Sequence, residues 1–158
     1  MNATELLKQD HREVESMIAE LEGAGSEGGA AYVNTFQQLK QALTLHTQVE
    51  EQLLYPALED FEETGDLIEE SYDEHDEVDQ ILNDMTGLNP GDEEFQELLA
   101  QLKDSIEHHV EEEESELFPQ AEELLGEDAL ETMGNQIEQM KGEAAAGGAG
   151  GSSRTAGV

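Results

Sequence analysis

One helical hairpin is written twice in this chain. DHREVESMIAEL at 10–21 returns as EHDEVDQILNDM at 74–85, and HTQVEEQLLYPAL at 46–58 returns as HVEEEESELFPQA at 109–121. The second copies follow at spacings of 64 and 63 residues. A lone helix pair leaves its apolar stripe in water, whereas two copies face to face bury both stripes. The duplication therefore predicts a bundle with an internal pseudo-twofold axis.

Glycine and proline divide the chain into four long segments with helical periodicity. The first runs from about Thr4 to Glu22, with Thr4 as its N-cap and Leu7, His11, Val14, Ile18 and Leu21 on one face. The second, from about Ala30 to Glu63, carries Phe36, Leu39, Leu43, His46, Glu50, Leu53 and Ala57. Pro56 removes one intrahelical bond, so a kink or break is expected between Leu53 and Pro56. The third, from about Asp66 to Met85, aligns Ile68, Tyr72, His75, Val78 and Leu82. The fourth, from about Glu93 to Leu125, aligns Phe95, Leu99, Leu102, Ile106, His109, Glu113 and Leu117, with a kink near Pro119. No segment alternates with period two. The expected fold is all-α: an antiparallel up-down-up-down four-helix bundle over residues 1–126. Residues 127–141 can add a short fifth helix packed by Met133, Ile137 and Met140, and the glycine-rich stretch 142–158 reads as a disordered tail.

Composition narrows the function. The 158 residues suffice for one domain with a core. Cysteine is absent, so disulfides and thiolate metal sites are excluded. No apolar run is long enough to span a membrane, and the start lacks a signal-peptide core, so a cytoplasmic location is expected. Forty acidic residues against six basic ones give a formal charge of −34. Such a surface repels nucleic acid and anionic membranes, attracts cations, and opposes self-association at low salt, so a monomer or weak oligomer is expected. It also suits a high-salt environment, where like charges are screened.

Four of the five histidines, His11, His46, His75 and His109, replace a hydrophobe near the middle of an apolar stripe, each on a different helix. In a bundle these positions face a common axis. Glu50 follows His46 by four residues and Glu113 follows His109 by four, which stacks each pair on one helix face. Buried carboxylates need protons or cations. A lone histidine on an apolar stripe is more often a core residue bonded to a neighbour. Four of them, two with glutamate in phase and all kept in a repeat, make a metal site the stronger reading. Four imidazoles and two carboxylates are a ligand set for two borderline metal ions, and carboxylates on two helices can bridge a pair. Iron fits this better than structural zinc, which takes four ligands. His108 is rotated about 100° from His109 and is expected to face outward.

The order His11, His46-x3-Glu50, His75, His109-x3-Glu113, with each glutamate trailed by aromatic-proline, resembles the hemerythrin HHE cation-binding domain over residues 4 to 125. The resemblance implies a four-helix bundle around a non-haem di-iron centre. It implies two iron ions per chain, bridged by Glu50, Glu113 and a solvent oxygen, with the four histidines as terminal ligands. Oxygen-carrying members use five histidines, and only four align here. Tyr72, Asp79 or, in phase with His11, Glu15 could supply an oxygen donor or a supporting contact. An oxygen donor in place of the fifth histidine would favour ferric iron. Peroxide or nitric oxide chemistry, or iron handling, would then suit the site better than reversible O2 carriage.

Three functional classes follow. The chain is a binding protein for O2, NO, peroxide or iron; or a di-iron enzyme with catalase-like or oxidase activity; or an acidic bundle without metal, its histidines bonded to acids.

Overall fold

The computed structural model describes residues 1–25 and 29–149. Helix α1 spans Ala3–Ala24. Helix α2, Ala30–Val49, continues through a π-helical turn, Glu50–Leu54, into α3, Tyr55–Leu58. Helix α4 spans Gly65–Met85. Helix α5, Glu93–Glu112, continues through a second π-helical turn, Glu113–Leu117, into α6, Phe118–Leu125. Helix α7 spans Glu127–Ala149. Among the described residues there is no strand, and no helix is long and apolar enough to cross a membrane.

The stripes pack as two apolar clusters, one toward each end of the bundle. One gathers Val14, Ile18 and Leu21 of α1 with Leu39 and Leu43 of α2, Val78 and Leu82 of α4, and Leu99, Leu102 and Ile106 of α5. The other gathers Leu6 and Leu7 of α1 with Leu54, Leu58, Ile68, Leu117 and Phe118. Helix α1 enters at the second cluster and leaves at the first, the α2 rod runs back, and the α4 and α5 rods repeat the pattern. The order is up-down-up-down, as the short connections require. The polar residues left between the clusters form one layer across all four rods.

Local details differ from expectation in three places. The cap of α1 is Asn2, not Thr4. Asn2 accepts from the Glu5 amide at 3.0 Å and its own amide donates to the Glu5 carboxylate at 2.9 Å, a reciprocal capping box. Thr4 lies inside the helix and donates its hydroxyl to Asn2 Oδ1. The prolines do not break their rods. Each follows a π-helical turn and sits in the first turn of the next α-helical piece, where its missing N–H leaves no gap in the ladder. The second rod ends at Leu58 rather than near Glu63.

Helix α7 is also longer than the short fifth helix anticipated. It continues past Lys141 to Ala149, through residues 142–149 of the expected tail; residues 150–158 lie outside the described residues. Gly126, at φ 82, makes the turn into it. Leu130, Met133 and Ile137 bury against the second cluster, beside Ala3, Leu6, Leu7 and Val49, and Met140 packs at its margin.

A close approach fixes this docking. A methyl group on Gly134 would collide with the Met1 carbonyl oxygen and lie 3.1 Å from two backbone carbons of Asn2. Gly134→Ala gains about 1 kcal/mol of helix propensity, but backbone cannot yield as a side-chain tip can. A net loss of about 1 to 2 kcal/mol is expected from the overpacking, read as a lower midpoint in urea unfolding. An unchanged or higher midpoint would mean that α7 does not seat on the N-terminus as described.

Candidate metal centre

The layer between the two clusters contains His11, His46, Glu50, His75, His109 and Glu113, all buried. His46 and Glu50, and likewise His109 and Glu113, stack one helical turn apart, as the four-residue spacing requires. The Nε2 atoms face the two glutamates. His11 Nε2 lies 3.1 Å from Glu113 Oε1, and His46 and His75 Nε2 lie 3.2 and 3.0 Å from Glu50 Oε1. His109 Nε2 lies 3.3 Å from Glu113 Oε1 and 3.8 Å from Glu50 Oε1. The donors form two groups that share Glu50: His11, His46, Glu50 and Glu113, and Glu50, His75 and His109. The pseudo-twofold is visible in the rings. His11 and His46 have centroids 4.9 Å apart at 63°, and His75 and His109 have centroids 4.9 Å apart at 65°.

Each imidazole is held from behind. The Nδ1 atoms pair with carboxylates: His11 with Glu114 at 2.7 Å, His46 with Asp10 at 3.0 Å, His75 with Glu51 at 2.6 Å and His109 with Glu74 at 2.7 Å. These acids obey the repeat, Asp10 with Glu74 and Glu51 with Glu114. A carboxylate at Nδ1 fixes the ring and keeps the Nε2 lone pair free for the centre when the imidazole is neutral. The sequence analysis did not single them out. Their signal was the acid before His11 and His75 and the second glutamate after Glu50 and Glu113.

A further missed residue is Tyr55. It is fully buried, and its hydroxyl lies 2.7 Å from Glu113 Oε2, 3.2 Å from Glu50 Oε1 and 3.1 Å from His75 Nε2. In α-helical register a residue five after Glu50 would point about 140° away from it. The π-helical turn, in which the Tyr55 amide bonds the Glu50 carbonyl, returns Tyr55 to the inner face. Its repeat partner Phe118 stacks on His11 instead, with centroids 5.8 Å apart and planes 6° from parallel. The other three oxygen candidates do not reach the layer. Tyr72 packs edge-on against Tyr55, Asp79 is exposed, and Glu15 pairs with Arg12 near the surface. His108 faces outward, with its side chain 64% exposed.

The donors fit a cation better than they fit one another. Glu50 Oε2 is buried with no hydrogen-bond partner, and His46 Nε2 meets only Glu50 Oε1, at 3.2 Å and outside hydrogen-bond geometry; two carboxylates buried away from water cost several kcal/mol each unless neutralised. Without a metal, protons do that work. Burial opposes charge on His46, but the field of Glu50 and the bond to Asp10 outweigh it and raise its pKa to about 10. Burial is likewise overcome at His75, by Glu50, and at His109, by Glu113; both are raised, His109 well above the ordinary value. Glu50 is held well below the carboxylate range despite its burial, chiefly by His46. Burial, with the fields of Glu113 and Glu50, pushes the Tyr55 phenol well up. On the far side of the four imidazoles from Tyr55 lies a cavity of about 20 Å³, lined also by Val14, Leu43, Val78, Ile106 and Val110. That is room for one water-sized molecule.

These shifts set the pH behaviour of metal-free protein. Histidines raised on folding contribute stability that is complete below 6.5 and lost as pH rises toward about 10. Glu50, lowered on folding, contributes stability present above 4.5 and lost as pH falls. Metal-free protein is therefore expected to be most stable between these values and to weaken from pH 6.5 to 10, read as the denaturant midpoint in the presence of chelator. A flat profile would contradict the buried charge pairs.

Comparison with known proteins agrees with the geometry. Residues 2–121 match the hemerythrin HHE cation binding domain. A DNA nickase of Nostoc sp. is 30% identical over 141 residues, covering 89% of this chain and 39% of that protein. A hemerythrin-like protein of Schizosaccharomyces pombe is 27% identical, covering 84% and 66%. The chain thus spans less than two thirds of the length of either relative. The crystal structure of a hemerythrin HHE cation binding domain-containing protein from Mycobacterium kansasii superposes with a TM-score of 0.76 at 25% identity, covering 93% of this chain and 91% of that one.

Proposed function

The chain belongs to the hemerythrin HHE cation-binding domain family, and from that premise we propose that it is a non-haem di-iron protein that binds a peroxide-sized or diatomic ligand. His11 and His46 would hold one ion and His75 and His109 the other, with Glu50, Glu113 and a solvent oxygen between them. The observation that carries this reading is the orientation of the imidazoles, each tied at Nδ1 to a carboxylate with Nε2 toward two buried glutamates. A metal-free structural bundle would leave Glu50 Oε2 buried without a partner and His46 Nε2 without a well-formed hydrogen bond. Iron would supply redox-active positions open to a small ligand; the cavity of about 20 Å³ admits nothing larger.

Tyr55 sets the kind of ligand. Its oxygen stands among Glu50, Glu113 and His75, where it would add an anionic donor or hold a proton. As an anionic donor it would favour ferric iron over reversible O2 carriage; as a phenol it would donate its proton to the carboxylates. A second reading, peroxide decomposition, rests on the same atom, because a phenol among Glu50, Glu113 and His75, on the face of the centre opposite the cavity, can give and recover a proton there. The nickase activity of the Nostoc relative does not carry over on these grounds. Most of that protein lies outside the matched region, and a charge of −34 opposes DNA.

Protein from iron-replete cells is expected to hold two iron ions per chain and to absorb visible light. His46→Ala and His109→Ala are each expected to lower iron content and melting temperature, because binding free energy adds to folding, while His108→Ala leaves the central iron in place. Less than one iron per chain, or equal damage from His108→Ala and His109→Ala, would defeat the reading. For the second reading, Tyr55→Phe is expected to retain iron yet slow oxygen release from peroxide about a hundredfold. An unchanged rate would remove Tyr55 from the chemistry.

A further inference from the structure

The repeat lets the two halves of the centre be compared residue by residue, and they differ in what stands behind the outer acids. Asp10, which holds His46, corresponds to Glu74, which holds His109. Glu114, which holds His11, corresponds to Glu51, which holds His75.

In the first half both acids meet a fixed cation. Helix α7 covers the outer groove between α1 and α2 and brings Lys141 to Asp10 Oδ1, while Asp10 Oδ2 meets His46. Arg12 Nη2 lies 2.6 Å from Glu114 Oε2, the oxygen that also meets His11 Nδ1. In the second half, among the described residues, neither acid pairs with a lysine or an arginine. Glu74 faces His108, and the Glu51 side chain is 38% exposed. The repeat position of Arg12 is an acid, Asp76. The chain has only six lysines and arginines against forty acids. Two of those six stand behind one pair of imidazoles.

This asymmetry has an electronic consequence. A carboxylate at Nδ1 makes an imidazole a stronger donor to a bound metal. A cation on that carboxylate withdraws part of the effect and places positive charge nearer the ion. Both changes oppose the higher charge of ferric iron. Tyr55 deepens the contrast, because its hydroxyl lies 3.1 Å from His75 Nε2, whereas His11 has the apolar ring of Phe118.

We propose that Lys141 and Arg12 are positioning residues, acting through Asp10 and Glu114, that make the two metal positions unequal. The ion held by His11 and His46 is reduced first, and the ion held by His75 and His109 stays ferric to lower potential. The inference rests on the di-iron reading above.

Mediated electrochemical titration of the iron-loaded protein, followed by its visible absorption, tests this. Two separate one-electron steps are expected. Lys141→Met removes the charge and keeps an unbranched side chain. It is expected to make the first step about tenfold less favourable, about 59 mV lower for one electron, and to leave the second in place. Arg12→Gln is expected to move the same step in the same direction by less, since the Arg12 side chain is 58% exposed. Lys141→Arg is expected to restore the native value. Lys103→Met, which removes the partner of Glu22, is expected to move neither step. A single two-electron step, equal shifts in both steps, a shift in the second alone, or the same shift with Lys103→Met would overturn the proposal. So would a shift confined to Lys141→Met, which would mark a loss of α7 docking rather than of charge. Iron is assayed before the titration. Less than one ion per chain would defeat the di-iron reading and this inference with it, whereas two ions with unresponsive potentials would overturn this inference alone.

Discussion

Two carboxylates without water govern this structure. Glu50 and Glu113 are 0% and 1% exposed at the middle of a bundle whose ends are apolar. The four central imidazoles are placed to meet that charge, and Asp10, Glu51, Glu74 and Glu114 each hold one of them. The chain of dependence runs outward from the centre: carboxylate, imidazole Nε2, imidazole Nδ1, outer carboxylate. It engages all four rods, so the layer that would bind a cation also sets the relative rotation of the helices.

The π-helical turns are the backbone's part in this arrangement. Each begins at an inner glutamate and ends just before an aromatic-proline pair. The wider turn lets two residues five apart share the inner face, and it places the following proline where its absent N–H is harmless. One turn brings Tyr55 to the carboxylates, and the other brings Phe118 against His11. The same backbone device thus delivers a hydroxyl to one half of the centre and an apolar ring to the other.

Departures from symmetry locate the specialised chemistry. The frame is a duplicated hairpin, and its ring geometry agrees between halves within 2°. On that frame α7 covers one outer groove with leucine, methionine, isoleucine and a lysine. The opposite groove keeps glutamates and His108. Tyr55 against Phe118, and Lys141 beside Asp10 against His108 beside Glu74, are differences that symmetric packing alone does not require.

Much of this was legible in the residues. Helical periodicity and the repeat established an all-α, up-down-up-down bundle, because an apolar stripe must be buried and a duplicated stripe buries its copy. The same phase placed four histidines and two glutamates inside and His108 outside. It did not reveal Tyr55, which a uniform 100° per residue points away from Glu50 and which only the π-helical turn of the second rod brings to the carboxylates; Tyr72, on the regular helix α4, packs against Tyr55 rather than on the glutamates. Other features needed contacts between elements. The pairing of Asp10, Glu51, Glu74 and Glu114 with histidines of other rods, and the seat of α7 with Lys141 on Asp10, depend on which helices are neighbours and at what height. One-dimensional order determines which face of a helix is apolar; only packing in three dimensions decides which charge meets which across the gap.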